Sequence, residues 1–277
     1  MWGEAMACPH CEAASTTEQA QRTALGYRKC RCQVCKRLFN ERTGTPFNFL
    51  EYPTDLVLLV VVWRVRYKLS LRDLAEMGLT RGFVFTHEAV RNWEARFAPL
   101  LAAHLRATRR GRGGISWYAD ETYVKVEGRW CYLYRAIDRE SNLIDARLSE
   151  TRDLPAAQQL FVHALATIGK PPQRVTTDGH AAYPRAIRET LGKKVPHRCS
   201  PYLNSRLEQD QRGIKQRYYP MQGFGSLESA SRFCLACEEV RYWFRPRQRR
   251  KQLVSLADKR RLFRERFAAL NAMLMAA

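Results

Sequence analysis

The chain has 277 residues, of which 47 are lysine or arginine and 27 are aspartate or glutamate, so its formal net charge is +20. Its hydrophobic fraction of 45% excludes an intrinsically disordered chain, because such chains lack the apolar residues that a core requires. The excess of positive charge therefore predicts a folded protein with a polyanionic partner.

The sequence also indicates where the protein resides. Its longest apolar run, residues 56–63, is far shorter than the roughly 20 residues that a membrane-spanning helix needs. The N-terminal residues show no basic region followed by an apolar segment, so we expect no export signal. Five of the nine cysteines lie between Cys8 and Cys35, which favours metal binding in a reducing compartment over disulfides. We therefore expect a cytoplasmic protein with no membrane partner.

Residues 1–50 carry two C-x2-C motifs that are separated by twenty residues. Each motif can direct two thiolates to one ion, and four thiolates complete a tetrahedral structural zinc site. This pattern predicts a zinc ribbon with the ligands Cys8, Cys11, Cys32 and Cys35. We interpret Cys30 as a spare thiol and His10 as a bystander inside the first motif.

Residues 51–105 predict three helices, over residues 56–67, 70–77 and 87–97, from their capping residues and the helical spacing of apolar positions. The third helix has an apolar face, and opposite it lie Arg91, Asn92 and Arg96. Three helices with a short break before the last are typical of a helix-turn-helix domain, which places its final helix in the DNA major groove. A small three-helix bundle with no such role is the alternative.

Residues 106–114 are basic and rich in glycine, and we interpret them as a linker. From residue 115 to residue 243 the pattern changes to an α/β domain, and a basic segment, residues 244–277, follows it. The predicted order is a hairpin (115–126 and 129–138), a half-exposed edge strand (143–149), a helix capped by Asp153, a strand (174–177), a helix (181–191), a strand (194–199), a long helix from residue 204 and a helix over 227–243.

Three acidic residues of this domain lie where metal-dependent chemistry would need them. Asp120 is inside the first strand, Asp178 follows the fourth, and Glu208 lies in the long helix. An acid inside a central strand is costly unless it is paired or bound to a metal, and carboxylates suit Mg²⁺ or Mn²⁺. Two such ions could promote phosphoryl transfer. The alternative is that each acid caps a turn or pairs with an arginine.

Two neighbouring acids compete for these assignments. Strand parity puts Asp120 and Glu121 on opposite faces and does not decide which one faces the site. Asp210 lies about 200° around the helix from Glu208. Lys215 and Asn204 share a helix face with Glu208, so an amide and an ammonium would flank it.

Four sequence segments, residues 117–126, 129–138, 176–179 and 204–217, closely resemble bacterial transposases of the insertion-sequence-six family. The resemblance continues upstream through residues 69–75 and 85–90, so it spans most of the chain. It implies a ribonuclease-H-like catalytic domain whose DDE triad is Asp120, Asp178 and Glu208. It also implies that Lys215 contacts the transposon end, and we expect Arg212 of the same motif to bind DNA.

The function that follows is metal-dependent cleavage of DNA 3′ ends and their transfer into target DNA. The zinc ribbon and the helix-turn-helix would bind the terminal inverted repeats of the double-stranded element, and a homodimer or larger assembly would bring two ends together. The alternatives are a catalytically inactive DNA-binding regulator with the same domains and a nuclease that cuts without strand transfer.

Overall fold

A computed structural model describes residues 6–200, 205–246 and 254–275, and for residues 205–211 it describes the backbone alone. The chain divides into two compact units, residues 1–60 with 260–277, and residues 61–259. The division falls within helix α1 (Thr54–Arg66). The domain limits predicted above remain predictions.

The first unit contains a three-stranded antiparallel sheet in the order β1-β2-β3, formed by β1 (Thr16–Arg22), β2 (Arg28–Cys32) and β3 (Leu38–Asn40). Its small core consists of Cys8, Cys30, Cys32 and Phe39. The sequence did not predict these strands, because β1 and β2 are mostly polar and lack the alternation that marks a half-buried strand. Most of helix α8 (Leu256–Met275) also belongs to this unit.

The second unit begins with helices α2 (Leu71–Leu79) and α3 (His87–Thr108). Both start at the predicted caps: Ser70 forms a capping box with Asp73, and Thr86 accepts a hydrogen bond from the third residue of α3. Among the residues that the structure describes, no helix has the length and apolar character to cross a membrane.

Helix α3 continues eleven residues beyond the predicted end at Phe97, although it contains Pro99. The extension carries Arg106, and Arg109 caps the helix, so the basic stretch that was interpreted as a linker begins inside α3. Arg109 is only 2% exposed and donates to Glu239, while Arg106 pairs with Asp145. Paired arginines, one of them buried, thus lie where the sequence was interpreted as a linker.

The remaining strands form one mixed sheet in the order β6-β5-β4-β7-β8. Their bounds are β4 (Ser116–Val126), β5 (Arg129–Asp138), β6 (Leu143–Ser149), β7 (Arg174–Thr177) and β8 (His197–Cys199). β4, β5 and β6 are antiparallel neighbours, whereas β7 is parallel to both β4 and β8. The prediction of an α/β domain with a mixed sheet is therefore confirmed.

Helices cover both faces of this sheet. Helices α4 (Leu154–Ile168) and α5 (Ala182–Thr190) share the main core with one face, whereas α6 (Ser205–Tyr218) lies on β4 and α7 (Leu227–Trp243) lies on β6. The prediction that β6 is half exposed is wrong. β6 is the edge strand, but helices on both faces bury most of it, including Asp145, which is neutralised by arginines.

Candidate active site and metal centres

Two of the three predicted catalytic acids lie side by side at the centre of the sheet. Tyr118 of β4 pairs with Thr176 of the parallel strand β7. Asp120 and Asp178 are each two residues further along, so the register brings them to the same level. Oxygen atoms of Asp120, Glu121 and Asp178 lie within 4.8 Å of one another. Strand pairing therefore creates a cluster of carboxylates from residues that are far apart in the sequence.

Asp120 and Asp178 are accessible to solvent. Ligands of an ion that exchanges with the solution need such access. Asp120 is partly exposed, and its Oδ1 accepts a hydrogen bond from the backbone N–H of Glu121 at 2.9 Å. Asp178 is exposed, and its Oδ1 accepts from the backbone N–H of His180 at 3.0 Å. These backbone donors fix one oxygen of each carboxylate.

Glu121 has different surroundings, because its side chain is almost fully buried. It accepts hydrogen bonds from the guanidinium of Arg152 and from the hydroxyl of Tyr183, and Arg152 also lies 3.4 Å from Asp178. Burial, reinforced by the negative charge of Glu121, raises the pKa of Tyr183 well above its usual range, so this hydroxyl remains a donor. Glu121 is therefore anchored by a cation and a phenol.

The sequence identified neither Arg152 nor Tyr183. Arg152 lies three residues after β6, where the sequence resembles an ordinary loop. Tyr183 is a buried aromatic residue of α5, and its helical spacing is that of an ordinary core residue. For Glu121, the sequence predicted only that it was an alternative to Asp120 as the acid that faces the site. One signal in the sequence could have indicated these partners. Glu121 is a second acid in a central strand, and a buried acid needs a hydrogen-bonding or cationic partner.

The third predicted acid, Glu208, lies in helix α6, which packs on β4. Its side chain and that of its rival Asp210 are outside the described part of the structure, as is residue Asn204. Further along α6, Arg212 is exposed and Lys215 is partly exposed. The backbone thus brings the helix of Glu208 to the strand of Asp120.

The donor set of the carboxylate cluster fits a hard divalent cation. Such ions prefer carboxylate oxygens and retain several water molecules, which the exposed side of Asp178 can admit. Arg152 supplies positive charge on one side of the cluster, where it contacts Glu121 and Asp178. Glu121 is buried, whereas Asp120 is partly exposed and Asp178 is exposed. Asp120 and Asp178 are consequently the acids best placed to bind an ion.

The four predicted zinc ligands also converge. The Sγ atoms of Cys8 and Cys35 are 3.6 Å apart, as are those of Cys11 and Cys32. A tetrahedral zinc with Zn–S bonds of about 2.3 Å would separate the sulfurs by about 3.8 Å, so the cluster fits this ion. The backbone N–H of Cys35 donates to Cys32 and helps lower the pKa of that thiol to about 6, which favours the thiolate. Cys30 is buried outside the cluster and His10 is exposed.

The predicted DNA-reading face of α3 is exposed. Arg91, Asn92 and Arg96 are all exposed, whereas Val90 and Phe97 on the opposite side are buried. Arg91 forms a salt bridge with Glu88 of the same helix, with 2.7 Å between Nη1 and Oε2. The amphipathic pattern is thus as expected, and Asn92 is an exposed polar side chain between the two arginines.

The sequence is similar to those of known transposases. A family model described as a DDE domain matches residues 114–247. The chain is 35% identical over 175 residues to the transposase for insertion sequence-like element IS431mec of Staphylococcus aureus. The aligned region covers 62% of this chain and 77% of that protein. It has the same identity and coverage with the transposase for insertion sequence element IS257 in transposon Tn4003 of Staphylococcus aureus.

Two solved structures of retroviral proteins show more distant similarity. A chain of the simian T-cell lymphotropic virus intasome in complex with PP2A regulatory subunit B56 gamma matches 53% of this chain and 61% of its own length, with 17% identity and a TM-score of 0.36. The HTLV-2 integrase catalytic core domain in complex with magnesium matches 48% of this chain and 86% of its own length, with 13% identity and a TM-score of 0.34.

Proposed function

Because the chain belongs to the insertion-sequence-six family of bacterial transposases, we propose that it binds the terminal inverted repeats of its own insertion sequence, cleaves the DNA 3′ ends and transfers them into target DNA. The chain is a transposase with a DDE domain. The observation that carries the detailed mechanism is the convergence of Asp120 and Asp178 at the centre of the mixed sheet.

In the proposed site, Asp120, Asp178 and Glu208 hold Mg²⁺ or Mn²⁺. When bound, such ions supply an activated oxygen nucleophile and stabilise the leaving oxygen of the phosphodiester. Asp120 and Asp178 present their oxygens from adjacent strands, and α6, the helix that contains Glu208, packs on the strand of Asp120. Glu121 orients Arg152 beside Asp178, where the guanidinium can attract a DNA phosphate. We further assign residues 115–243 a ribonuclease-H-like fold, which the mixed sheet order supports.

DNA recognition is assigned to the segments that precede the catalytic domain. The four cysteines hold a structural zinc in a ribbon, and helix α3 of a helix-turn-helix domain reads base edges through Arg91, Asn92 and Arg96. Arg212 and Lys215 of α6 contact DNA close to the cleaved bond. The protein acts as a homodimer or larger assembly, because two transposon ends have to meet in one complex. The intact pair of Asp120 and Asp178 argues against an inactive regulator.

The catalytic assignment is tested by comparing Glu208→Gln with Asp210→Asn in the full chain. Glu208→Gln preserves size and helix propensity but removes a negative charge from the metal site, so we expect cleavage and strand transfer to fall by at least about 100-fold while DNA binding persists. Asp210→Asn, the matched control, should retain most activity. The measurement is cleavage and joining of labelled duplexes that carry the element's ends, with Mg²⁺.

An exchange of the two phenotypes would assign the metal ligand to Asp210. Full activity of both variants would disprove the DDE mechanism for this chain. Cleavage by the wild-type protein with no joined product would identify a nuclease instead of a transposase.

A further inference from the structure

We propose that two exposed aromatic side chains of the β4–β5 hairpin, together with a partly buried third, form a stacking platform for an unpaired DNA base next to the phosphodiester that is cleaved. This inference rests on the proposed function and adds a DNA contact to it. The platform consists of Tyr123, Trp130 and Tyr132. Tyr123 is 48% exposed and Trp130 is 56% exposed, although both belong to a well-formed hairpin.

The three rings are grouped and lie on one face of the sheet. Tyr123 pairs across the hairpin with Tyr132, and their ring centroids are 5.3 Å apart. Trp130 meets Tyr123 edge to face, with a centroid distance of 6.1 Å. A contiguous exposed aromatic surface is uncommon on a protein that acts alone, and Trp and Tyr are enriched where proteins bind partners.

This platform lies on the Glu121 face of β4, opposite to the face of Asp120, and Arg152 connects it to the carboxylate cluster. Tyr123 follows Glu121 by two residues, so the two side chains leave the same face of β4 about 7 Å apart along the strand. The phenol of Tyr123 lies close enough to Arg152 to interact with it electrostatically, and Arg152 contacts both Glu121 and Asp178. A nucleotide that contacts Arg152 through its phosphate could therefore place its base on Tyr123.

The charges around the platform favour a nucleic acid as its occupant. Lys125 is exposed and lies directly across from Trp130, on the same face as the rings, whereas Arg129 pairs with Val126 and leaves the opposite face of the hairpin. The one acid at the hairpin tip, Glu127, is exposed and 3.4 Å from Arg129. The cations beside the rings are therefore Lys125 and Arg152. Aromatic rings bordered by cationic side chains are the combination that binds single-stranded nucleic acid, through stacking and phosphate contacts.

Backbone hydrogen bonds fix the hairpin in place. The N–H of Phe224 donates to the carbonyl of Lys125 at 3.0 Å, and the N–H of Glu127 donates to the carbonyl of Phe224 at 2.8 Å. Gly223 permits this approach, because its φ is +113° and a Cβ there would lie 2.9 Å from the carbonyl oxygen of Lys125. The aromatic surface is therefore held in its binding geometry before DNA arrives, which reduces the entropy lost on binding.

The chemistry indicates which base would stack. In an intact duplex the faces of the bases are covered by their neighbours, so a protein ring can stack only on an end base or on a base that has left the helix. Transposon cleavage exposes a strand end at the reacting phosphodiester. The base adjacent to that bond is consequently the one that the platform can receive.

The test measures DNA binding by the full chain in EDTA, where no cleavage can occur. The probes are a short duplex with a single-stranded 3′ overhang that contains 2-aminopurine and the same duplex with blunt ends. We expect the wild-type protein to bind the overhang more tightly and to change its 2-aminopurine fluorescence. Trp130→Ala should weaken overhang binding by about tenfold, as expected for the loss of one stacked base, and leave blunt-end binding unchanged. Trp130→Phe should restore much of the difference.

Val162→Ala is the control, because Val162 is an exposed apolar residue that belongs to α4 and not to the hairpin. Equal binding of both probes by the wild-type protein, or equal overhang binding by wild type and Trp130→Ala, would overturn the proposal. A change of oligomeric state in Trp130→Ala at unchanged DNA binding would also overturn it, since the rings would then contact a second copy of the chain. Cleavage by the wild-type protein in Mg²⁺ is measured separately, so failure of the proposed function is distinguishable from failure of the platform.

Discussion

At the scale of single residues, Asp120 and Glu121 are adjacent acids with opposite environments. Asp120 is partly exposed toward the candidate metal site, whereas Glu121 is buried and bound by Arg152 and Tyr183. Proximity to the same cluster therefore does not give them the same role. Glu121 is a positioning residue for Arg152, and Asp120 is a candidate ligand.

This difference makes a prediction about stability. Glu121→Gln should lower the free energy of unfolding by about 1–3 kcal/mol, because it removes the charged partner of Arg152 from a buried position. Asp120→Asn should leave stability unchanged or raise it slightly, since it relieves repulsion between neighbouring carboxylates. The measurement is chemical denaturation in EDTA, with the exposed hairpin variant Glu127→Gln as control. Equal stability of the Glu121 and Glu127 variants would contradict the positioning role.

The sequence could predict part of this site and not the rest. Strand parity correctly placed Asp120 and Glu121 on different faces, because side chains alternate along any strand. The partners of Glu121 were not predictable, since Arg152 is 31 residues away and Tyr183 is 62 residues away in the sequence. Only the fold brings them together.

At the scale of elements, helix α3 presents an exposed polar face beside a buried apolar one. Asn92 is suited to read adenine, and a good bidentate contact discriminates between bases by about 1–3 kcal/mol. Asn92→Ala should therefore weaken binding to the inverted repeat more than binding to a random duplex, as measured by titration of both DNAs. Equal losses on both would indicate a structural three-helix bundle.

The small sheet of the first unit leads to a prediction about metal content. Its core consists of only a few residues, and three of the four core residues are cysteines. Such a module depends on its metal for stability, so we expect one zinc per chain by elemental analysis. Cys32→Ser should expose the first fifty residues to protease while the catalytic domain stays resistant, whereas Cys30→Ser, the matched control, should retain the zinc. A folded, reduced preparation without zinc would disprove the ribbon.

Elements with strong local signals were predicted well. The limits of β5, β6, β7 and α7 agree with the sequence pattern, because each lies between turn or capping residues. Helix α3 was predicted too short, because Pro99 and a run of arginines indicate a helix end. At its observed end, the capping residue Arg109 pairs with Glu239, which is 130 residues away in the sequence. Long-range pairing of this kind leaves no periodic pattern in the sequence.

At the scale of the whole molecule, the net charge of +20 predicts a steep dependence of DNA affinity on salt. Each neutralised phosphate adds about −0.9 to the slope of log affinity against log salt concentration. If the basic segment that includes Arg249 and Arg250 lies on DNA, replacing both with Ala should flatten the slope by about 1.8. Both residues are outside the described part of the structure. The measurement is equilibrium binding over a range of salt concentrations.

Arg185→Ala is the control for that experiment, because Arg185 is exposed but paired with Glu189 on α5. An unchanged slope in the double variant would show that the segment does not contact phosphates. Replacement of single side chains is preferable to truncation, since residues 260–277 belong to the first compact unit and their removal would alter it as well.

Because the first unit combines the two ends of this sequence, its parts are synthesised at different times. Residues 1–60 and residues 260–277 belong to one unit, yet two hundred positions of the chain separate residue 60 from residue 260. At roughly 5–20 residues per second, the later segment emerges about 10–40 s after the earlier one. The second unit can fold in that interval, whereas the first unit reaches its complete form only when translation has passed α8. The N-terminal cysteines are thus made early, and the unit that contains them is completed last.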